Sequence, residues 1–423
     1  MRKIDSVLDV TLKKIEPEKK ELEFMNRSSA EFLKQLKVAL VSLKIEAEPF
    51  VGGSFAKNTV VKKNLYDCDI FLRFKKTDKD ISKITKRILE KAKIKAEIIH
   101  GSRDYFNILV TKYFCIELIP VKKISSPKVA ENITDLSYSH VKYLNKKVKS
   151  KKIINDIKLM KAFCHAKECY GAESYINGFS GYSLELLIYH FKGFEKFLRA
   201  MVKNKGEKII IDLEKQYKNK REILLNLNES KLGSPIVLID PTFKERNVTA
   251  ALSEETFKRF IEVAGKFLKN PLEEDFERDI EDIDYMKNLA EKNNQEFLEM
   301  LISTKKQAGD IAGTKLKKFY KHLVEEVEKR YKIKKSGFIY DNVQSAKIYF
   351  IINGKKELCF MGPFKDDIKN VKAFKKEHKN VRIKNNRYYI KEKTTLIFKE
   401  FMNKWKVKND KKIKEMAISK FMA

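Results

Sequence analysis

Two aspartates bracket one cysteine in the run DCDIFLRF (67–74), whose composition is that of a β-strand. Alternation along a strand sends Asp67 and Asp69 to one face and turns Cys68 and Ile70 to the other, core-facing side. Two carboxylates this close repel each other. Burying them is costly unless a cation sits between them. A hard, oxygen-seeking divalent ion, Mg²⁺ or Mn²⁺, is the natural partner. A third acid, Glu117, lies in FCIELIP (114–120), which is otherwise apolar, and an acid inside a buried strand needs a reason. If the two strands pair, the three carboxylates form the kind of cluster that holds two metal ions for in-line phosphoryl or nucleotidyl transfer. Each piece alone is weak, because most D-x-D pairs lie on solvated strands or loops. The combination is what points to this chemistry.

A small-residue turn precedes the aspartates. Gly52 and Gly53 permit a backbone that other residues resist and a close approach to phosphate. Ser54 offers a hydroxyl and an N–H at the start of a short helix, and Lys57 follows one turn later. The stretch is neither a Walker A loop nor a dinucleotide-binding G-x-G-x-x-G. A second anomaly lies in a helix around 153–165. There Ile153, Ile154, Ile157, Met160 and Cys164 form one apolar arc, and Lys161 projects inside it. Two readings stand: the lysine snorkels to the surface, or its ammonium meets a bound triphosphate. Tyr170, nine residues on, ends that helix beside Gly171, where a tyrosine usually packs.

These residues need elements to hold them. Residues 17–45 have helical spacing, and 78–93 read as an amphipathic helix with Ile81, Ile84 and Ile88 along one side. Residues 105–110 and 113–120 read as a hairpin across Thr111-Lys112. From about 150 to 230 the pattern is mostly helical. A short buried run follows at 234–247, ended by Asp-Pro, and then a helix at 254–268. The acidic stretch 271–278 reads as a domain junction, with two long helical patterns after 281. Asn353-Gly354 marks a hairpin over 346–361. A helix at 366–378, a smaller hairpin at 381–392 and a closing amphipathic helix with Phe398, Phe401 and Trp405 complete the chain.

Composition bounds the rest. A chain of 423 residues suggests two to four domains. An apolar content of 43% makes long disordered stretches unexpected. The 90 Lys+Arg against 58 Asp+Glu leave +32, which suits a polyanionic partner. A lysine-rich composition without any such partner is the equal alternative at this level. No apolar run approaches the length that spans a bilayer, and no secretory signal is visible. The five cysteines are scattered without a C-x-x-C pair, which fits a reducing cytosol and argues against a zinc site.

Taken together, VGGSFAKNT (51–59), DCDIFLRF, IELIPV (116–121), YGAESYINGFSGYSLELLI (170–188), LIDPTFKERNVTAALS (238–253) and MGPFKDDIKNVKAFKKEH (361–378) resemble the archaeal, class I CCA-adding enzymes. These are tRNA nucleotidyltransferases of the polymerase-β-like superfamily. The resemblance implies an α+β fold: a nucleotidyltransferase head with a mixed sheet (1–138), a helical, nucleotide-selecting central domain (139–269), and a helical C-terminal body (270–423) carrying a small α+β module at about 336–394. It implies that Asp67, Asp69 and Glu117 bind two Mg²⁺ ions, and that Ser54 and Lys57 make the first phosphate contacts. His140, Lys161 and Tyr170 become further nucleotide contacts, with a packed structural histidine an equal reading for His140. Arg246 would read the base edge, with Asp240 in the same segment. Family members commonly have Asp at 117 and Arg at 57. The implied partners are the acceptor stem and T-arm of tRNA, with CTP and ATP as substrates, and the implied enzyme is a cytoplasmic homodimer. An A-adding polymerase and a non-catalytic RNA-binding module are the rival readings.

Overall fold

Alternation decides the first sheet. Tyr66, Cys68, Ile70 and Leu72 are buried while Asp67 and Asp69 are only partly covered, as a strand with one core face requires. The computed structural model describes residues 2–75, 80–101, 103–278, 282–354, 358–392 and 397–422. Helices α1 (Lys3–Ile15) and α2 (Lys19–Ser42) lead into β1 (Ala47–Val51), β2 (Tyr66–Phe74), α3 (Ile81–Lys91), β3 (Glu97–Ile99), β4 (Tyr105–Thr111) and β5 (Phe114–Lys122). The sheet order is β1-β2-β5-β4-β3. The central pair β2–β5 is parallel and the other pairs are antiparallel. The sheet is therefore mixed. Leu36 and Leu40 of α2 and Ile88 of α3 pack with Cys68, Ile70 and Leu118 on the face away from the acids, and the acid-bearing face carries a smaller cluster of Phe71, Ile119 and Val121.

The expected hairpin between 105 and 120 forms, with its turn one residue later, at Lys112-Tyr113, because Thr111 still pairs with Phe114. Helix α3 starts at its cap Asp80, whose side chain accepts from the N–H groups of Ser82 and Lys83. Positions 78–79 of the expected helix lie outside the described residues.

The same compact unit, Met1–Asp279, continues through α4 (Ser137–Lys147), α5 (Lys151–Ala166), α6 (Gly181–Phe191), α7 (Phe194–Lys203), β6 (Ile209–Asp212), α8 (Lys220–Asn226), α9 (Glu229–Leu232), β7 (Ile236–Asp240), β8 (Phe243–Asn247) and α10 (Glu254–Lys269). The core is aromatic. Phe163 of α5 meets Phe194, Phe260 and Phe267 edge-on, with ring centroids 5.5 to 6.4 Å apart, the separation such pairs favour. The buried run at 234–247 becomes β7, fully buried, paired to β6 on one side and β8 on the other.

The second unit, Ile280–Ala423, holds α11 (Ile283–Lys292), β9 (Glu296–Ser303), α12 (Asp310–Glu328), β10 (Tyr331–Tyr340), β11 (Ser345–Gly354), β12 (Leu358–Phe364), α13 (Ile368–Glu377), β13 (Arg382–Lys384), β14 (Arg387–Glu392), α14 (Phe398–Lys408), α15 (Asp410–Glu415) and β15 (Lys420–Met422). It departs from the sequence reading in several places, with β10 and β15 as strands that were not expected. Between the helices expected after 281 lies a strand, β9, in which Leu298, Met300 and Ile302 are buried in alternation. The hairpin expected at Asn353-Gly354 does not form. Both residues remain paired to β10, through Lys332 and Tyr331, and β11 sits between β10 and β9. β12 instead joins β14 and β13 in a separate three-stranded sheet. The smaller hairpin forms as expected, with Asn385 and Asn386 both at positive φ in its turn. No helix among the described residues is long and apolar enough to cross a membrane.

Candidate active site

The parallel register of β2 and β5 sets Asp67 opposite Cys115 and Asp69 opposite Glu117. On the far side of β5, Glu117 pairs with Asn107 of β4. Asp69, Glu117 and Asn107 thus form a row across three strands on one face of the sheet. Burial and the neighbouring Asp67 push the Asp69 carboxyl up to about 6. Burial, Asp69 and Asp67 push Glu117 up to about 7. Lys63 donates to Asp67 from the loop ahead of β2. Among the described residues no three His, Cys, Asp or Glu side chains are gathered closely enough to hold a metal ion by themselves. The donor set nevertheless fits a hard divalent cation: carboxylates that repel one another, and a buried Asn107 Oδ1 in the same row that accepts no hydrogen bond.

The glycine turn explains itself by distance. Gly53 has φ +56°, and a Cβ built there would lie 1.6 Å from Asp69 Oδ2, so the carboxylate rests against bare backbone. Ser54 opens a single 3₁₀ turn, Phe55–Lys57, that Asn58 closes in the left-handed conformation. Its side chain does not cap that turn.

Lys57 and Lys161 converge on a residue that the sequence reading missed. Glu185 of α6 accepts from Lys57 Nζ at 2.6 Å through Oε2 and from Lys161 Nζ at 2.7 Å through Oε1. Thr59 Oγ1 donates to Glu185 Oε1 at 3.1 Å and accepts from Lys161 Nζ at 2.8 Å. Lys161 is 5% exposed, so it does not snorkel. Burial opposes the charge of Glu185, yet the two ammoniums hold its carboxyl down at about 2. Tyr170 lies in an isolated bridge with Phe179, and burial raises its hydroxyl above the ordinary tyrosine value. A Cβ on Gly181 would meet that hydroxyl at 2.9 Å.

A second cluster surrounds Asp240, which is wholly buried at the end of β7. His140 Nε2 lies 2.9 Å from Asp240 Oδ2, and Arg246 Nη1 donates to the same oxygen at 2.7 Å. Thr242 donates its N–H and hydroxyl to Oδ1, each at 2.8 Å, and Tyr182 donates its hydroxyl at 3.3 Å. Although burial works against ionisation, His140 and Arg246 carry the Asp240 carboxyl well below its ordinary value. Burial also holds His140 below the usual imidazole value, against the pull of Asp240. The rings of His140 and Tyr182 stack at 4.1 Å. Tyr182 was not foreseen, and nothing in the sequence separates it from any core tyrosine.

Helix α6 joins the clusters, since Tyr182 and Glu185 are one turn apart. Gly53 and Lys57 join Glu185 to the carboxylate row. All nine side chains expected to act, from Ser54 to Arg246, belong to the first unit.

A nucleotidyltransferase of the polymerase-β-like class is what this fold and face define. Over 64% of this chain, the Cid1 poly(U) polymerase superposes with 98% of its own length, at TM-scores of 0.50 and 0.51 in two crystal structures and 13% identity. Residues 155–277 match the model of the tRNA nucleotidyltransferase second domain. The CCA-adding enzyme of Nanoarchaeum equitans is 35% identical over 282 residues, covering 66% of this chain and 67% of that enzyme. Those of Methanocaldococcus jannaschii and Methanosarcina acetivorans are each 30% identical, over 68% and 70% of this chain and 63% and 61% of theirs. The chain thus spans about two thirds of the length of the relatives it matches. It belongs to the archaeal CCA-adding enzymes.

Proposed function

We propose that this chain adds C, C and A to the 3′ end of tRNA from CTP and ATP, without a nucleic-acid template. The observation that carries the reading is the row that seats Asp69 against Glu117 beside Gly53, with Lys57 and Lys161 held together nearby. Asp67, Asp69 and Glu117 would hold Mg²⁺, two ions by the pattern of the family, with Mn²⁺ a substitute. Bound there, the metal would lower the pKa of the terminal 3′-hydroxyl and would offset charge on the leaving pyrophosphate. Lys57 and Lys161 direct N–H donors at the triphosphate, with Ser54 and Tyr170 as neutral contacts. Arg246, anchored by Asp240, turns its remaining donors to the Watson–Crick edge of the base, and the stacked His140 and Tyr182 rings support that anchor.

We read 1–138 as the catalytic head, 139–269 as the nucleotide-selecting domain, and 270–423 as the body and tail that bind the acceptor stem and T-arm. The surplus of +32 supports that partner. The enzyme would act in the cytoplasm as a homodimer. The test is an extension assay on tRNA lacking its terminal CCA, with CTP, ATP and Mg²⁺. Ordered addition of C, C and A is the expected result. Extension by A alone when CTP is left out would favour a poly(A)-type activity, and no extension at all would refute the reading.

A further inference from the structure

Glu185 contacts neither the carboxylate row nor the Asp240 cluster, yet both lysines of the proposed phosphate site end on it. It lies in the buried stretch of α6 from Ser183 to Ile188 and is 1% exposed. One ammonium would suffice to neutralise a buried carboxylate. Here two are present, so Glu185, Lys57 and Lys161 together carry one net positive charge in a largely buried setting, with Lys57 also facing the Asp69 carboxylate. A surplus of that sign is costly unless an anion completes it. Donors remain for such an anion. Each ammonium has three; Lys161 spends two, on Glu185 and Thr59, and Lys57 spends one, on Glu185. Gly181, one turn before Glu185 on the same helix, adds no side chain beside them: a Cβ there would lie 2.9 Å from the Tyr170 hydroxyl and 3.8 Å from Lys161 Nζ.

We propose that Glu185 is the positioning residue of the triphosphate site. Its two oxygens fix Lys57 and Lys161 side by side and keep the pair charged, so that their unspent N–H groups grip the phosphates. The inference rests on the nucleotidyltransferase reading above. The charged and titratable groups facing Lys161 are Glu185 from α6, Lys57 from the 3₁₀ turn, Lys63 from the loop ahead of β2, and Tyr170 beyond α5. Burial lowers the pKa of Lys161, Lys57 and Lys63 lower it further, and Glu185 opposes them. Without Glu185, Lys161 sheds its proton as the pH rises.

The experiment measures binding of CTP and of inorganic tripolyphosphate, each with Mg²⁺, to the full chain across a series from weakly acidic to alkaline pH, because burial lowers the pKa of Lys161. Wild-type affinity should vary little. Glu185→Gln should bind nearly as wild type at the acid end and about tenfold more weakly at the alkaline end, the loss typical of one charge-assisted contact. Equal affinity at every pH, or the same loss at every pH, would overturn the proposal, the second because a merely structural role predicts it. If Glu185→Gln fails to fold, Glu185→Asp decides. It keeps the charge and shortens the reach, so a few-fold, pH-independent loss is expected, and unchanged affinity would overturn the proposal. A wild-type chain that binds neither ligand would instead refute the nucleotidyltransferase reading itself.

Discussion

Two carboxylate sites in the first unit, one wholly and one partly buried, meet opposite electrostatic fates. Around Asp240, an imidazole, a guanidinium, a threonine and a tyrosine surround one acid, and its carboxyl is held far below the ordinary value. In the β2–β5 row, acids face acids, and both Asp69 and Glu117 are pushed up. The difference separates scaffold from reaction centre. A site whose charges are answered within the protein is already finished and can hold Arg246 in place. A site whose carboxylates still repel one another, with Lys63 on Asp67 and Lys57 near Asp69, waits for a further cation from outside.

The largest effect expected breaks the waiting site. Asp69→Asn should cut CCA addition by at least about 10³-fold, while tRNA binding, read by filter retention, stays near wild type. Surviving activity would mean that the row is not the reaction centre. Gly53→Ala should come next, because its Cβ has no room beside Asp69. A loss of about 10²-fold in rate is expected from the displaced carboxylate, with Mg²⁺ half-saturation raised.

Breaking the finished site should instead cost stability. Asp240→Ala leaves Arg246 and His140 without their buried partner, and a loss of about 3–5 kcal/mol is expected in urea unfolding. A much smaller loss would mean that the two sites differ less than their charges suggest.

The gentlest probe compares them by pH. Asp69 and Glu117 bind protons more tightly when folded, so without metal their contribution is full below about pH 4 and is lost as the pH rises through about 6 and 7. Glu117→Gln should therefore raise the metal-free melting point at neutral pH, by roughly 1–2 kcal/mol in stability, and weaken stabilisation by Mg²⁺. Asp240 has the opposite sign: its contribution is lost only in strong acid.

Much of this was legible in the residues. Strand alternation placed Asp67 and Asp69 together, and a lone acid in an apolar strand pointed to Glu117. The same signal was present at Glu185, inside Ser183-Leu184-Glu185-Leu186-Leu187. It went unread because a helix offers a polar face to which an acid can be assigned by default. Asn107 and Tyr182 carried no signal, since only strand register and helix packing make them neighbours of the site. Asn353-Gly354 shows the converse. A strong local turn preference yielded to the continued pairing of Asn353 and Gly354 with Lys332 and Tyr331 of β10.

The parallel pairing of β2 with β5 has a consequence in time. Asp69 and Glu117 stand 48 positions apart (117 − 69) and meet only when two non-consecutive strands align in one register. A slip by one residue would send Glu117 to the opposite face. Parallel pairing of distant segments is also among the slower events of folding. Catalytic competence should therefore arrive late, after helices have formed and the core has closed. During refolding, recovery of extension activity should lag behind the helical signal, and no half-zipped form of the sheet should be able to use a nucleotide.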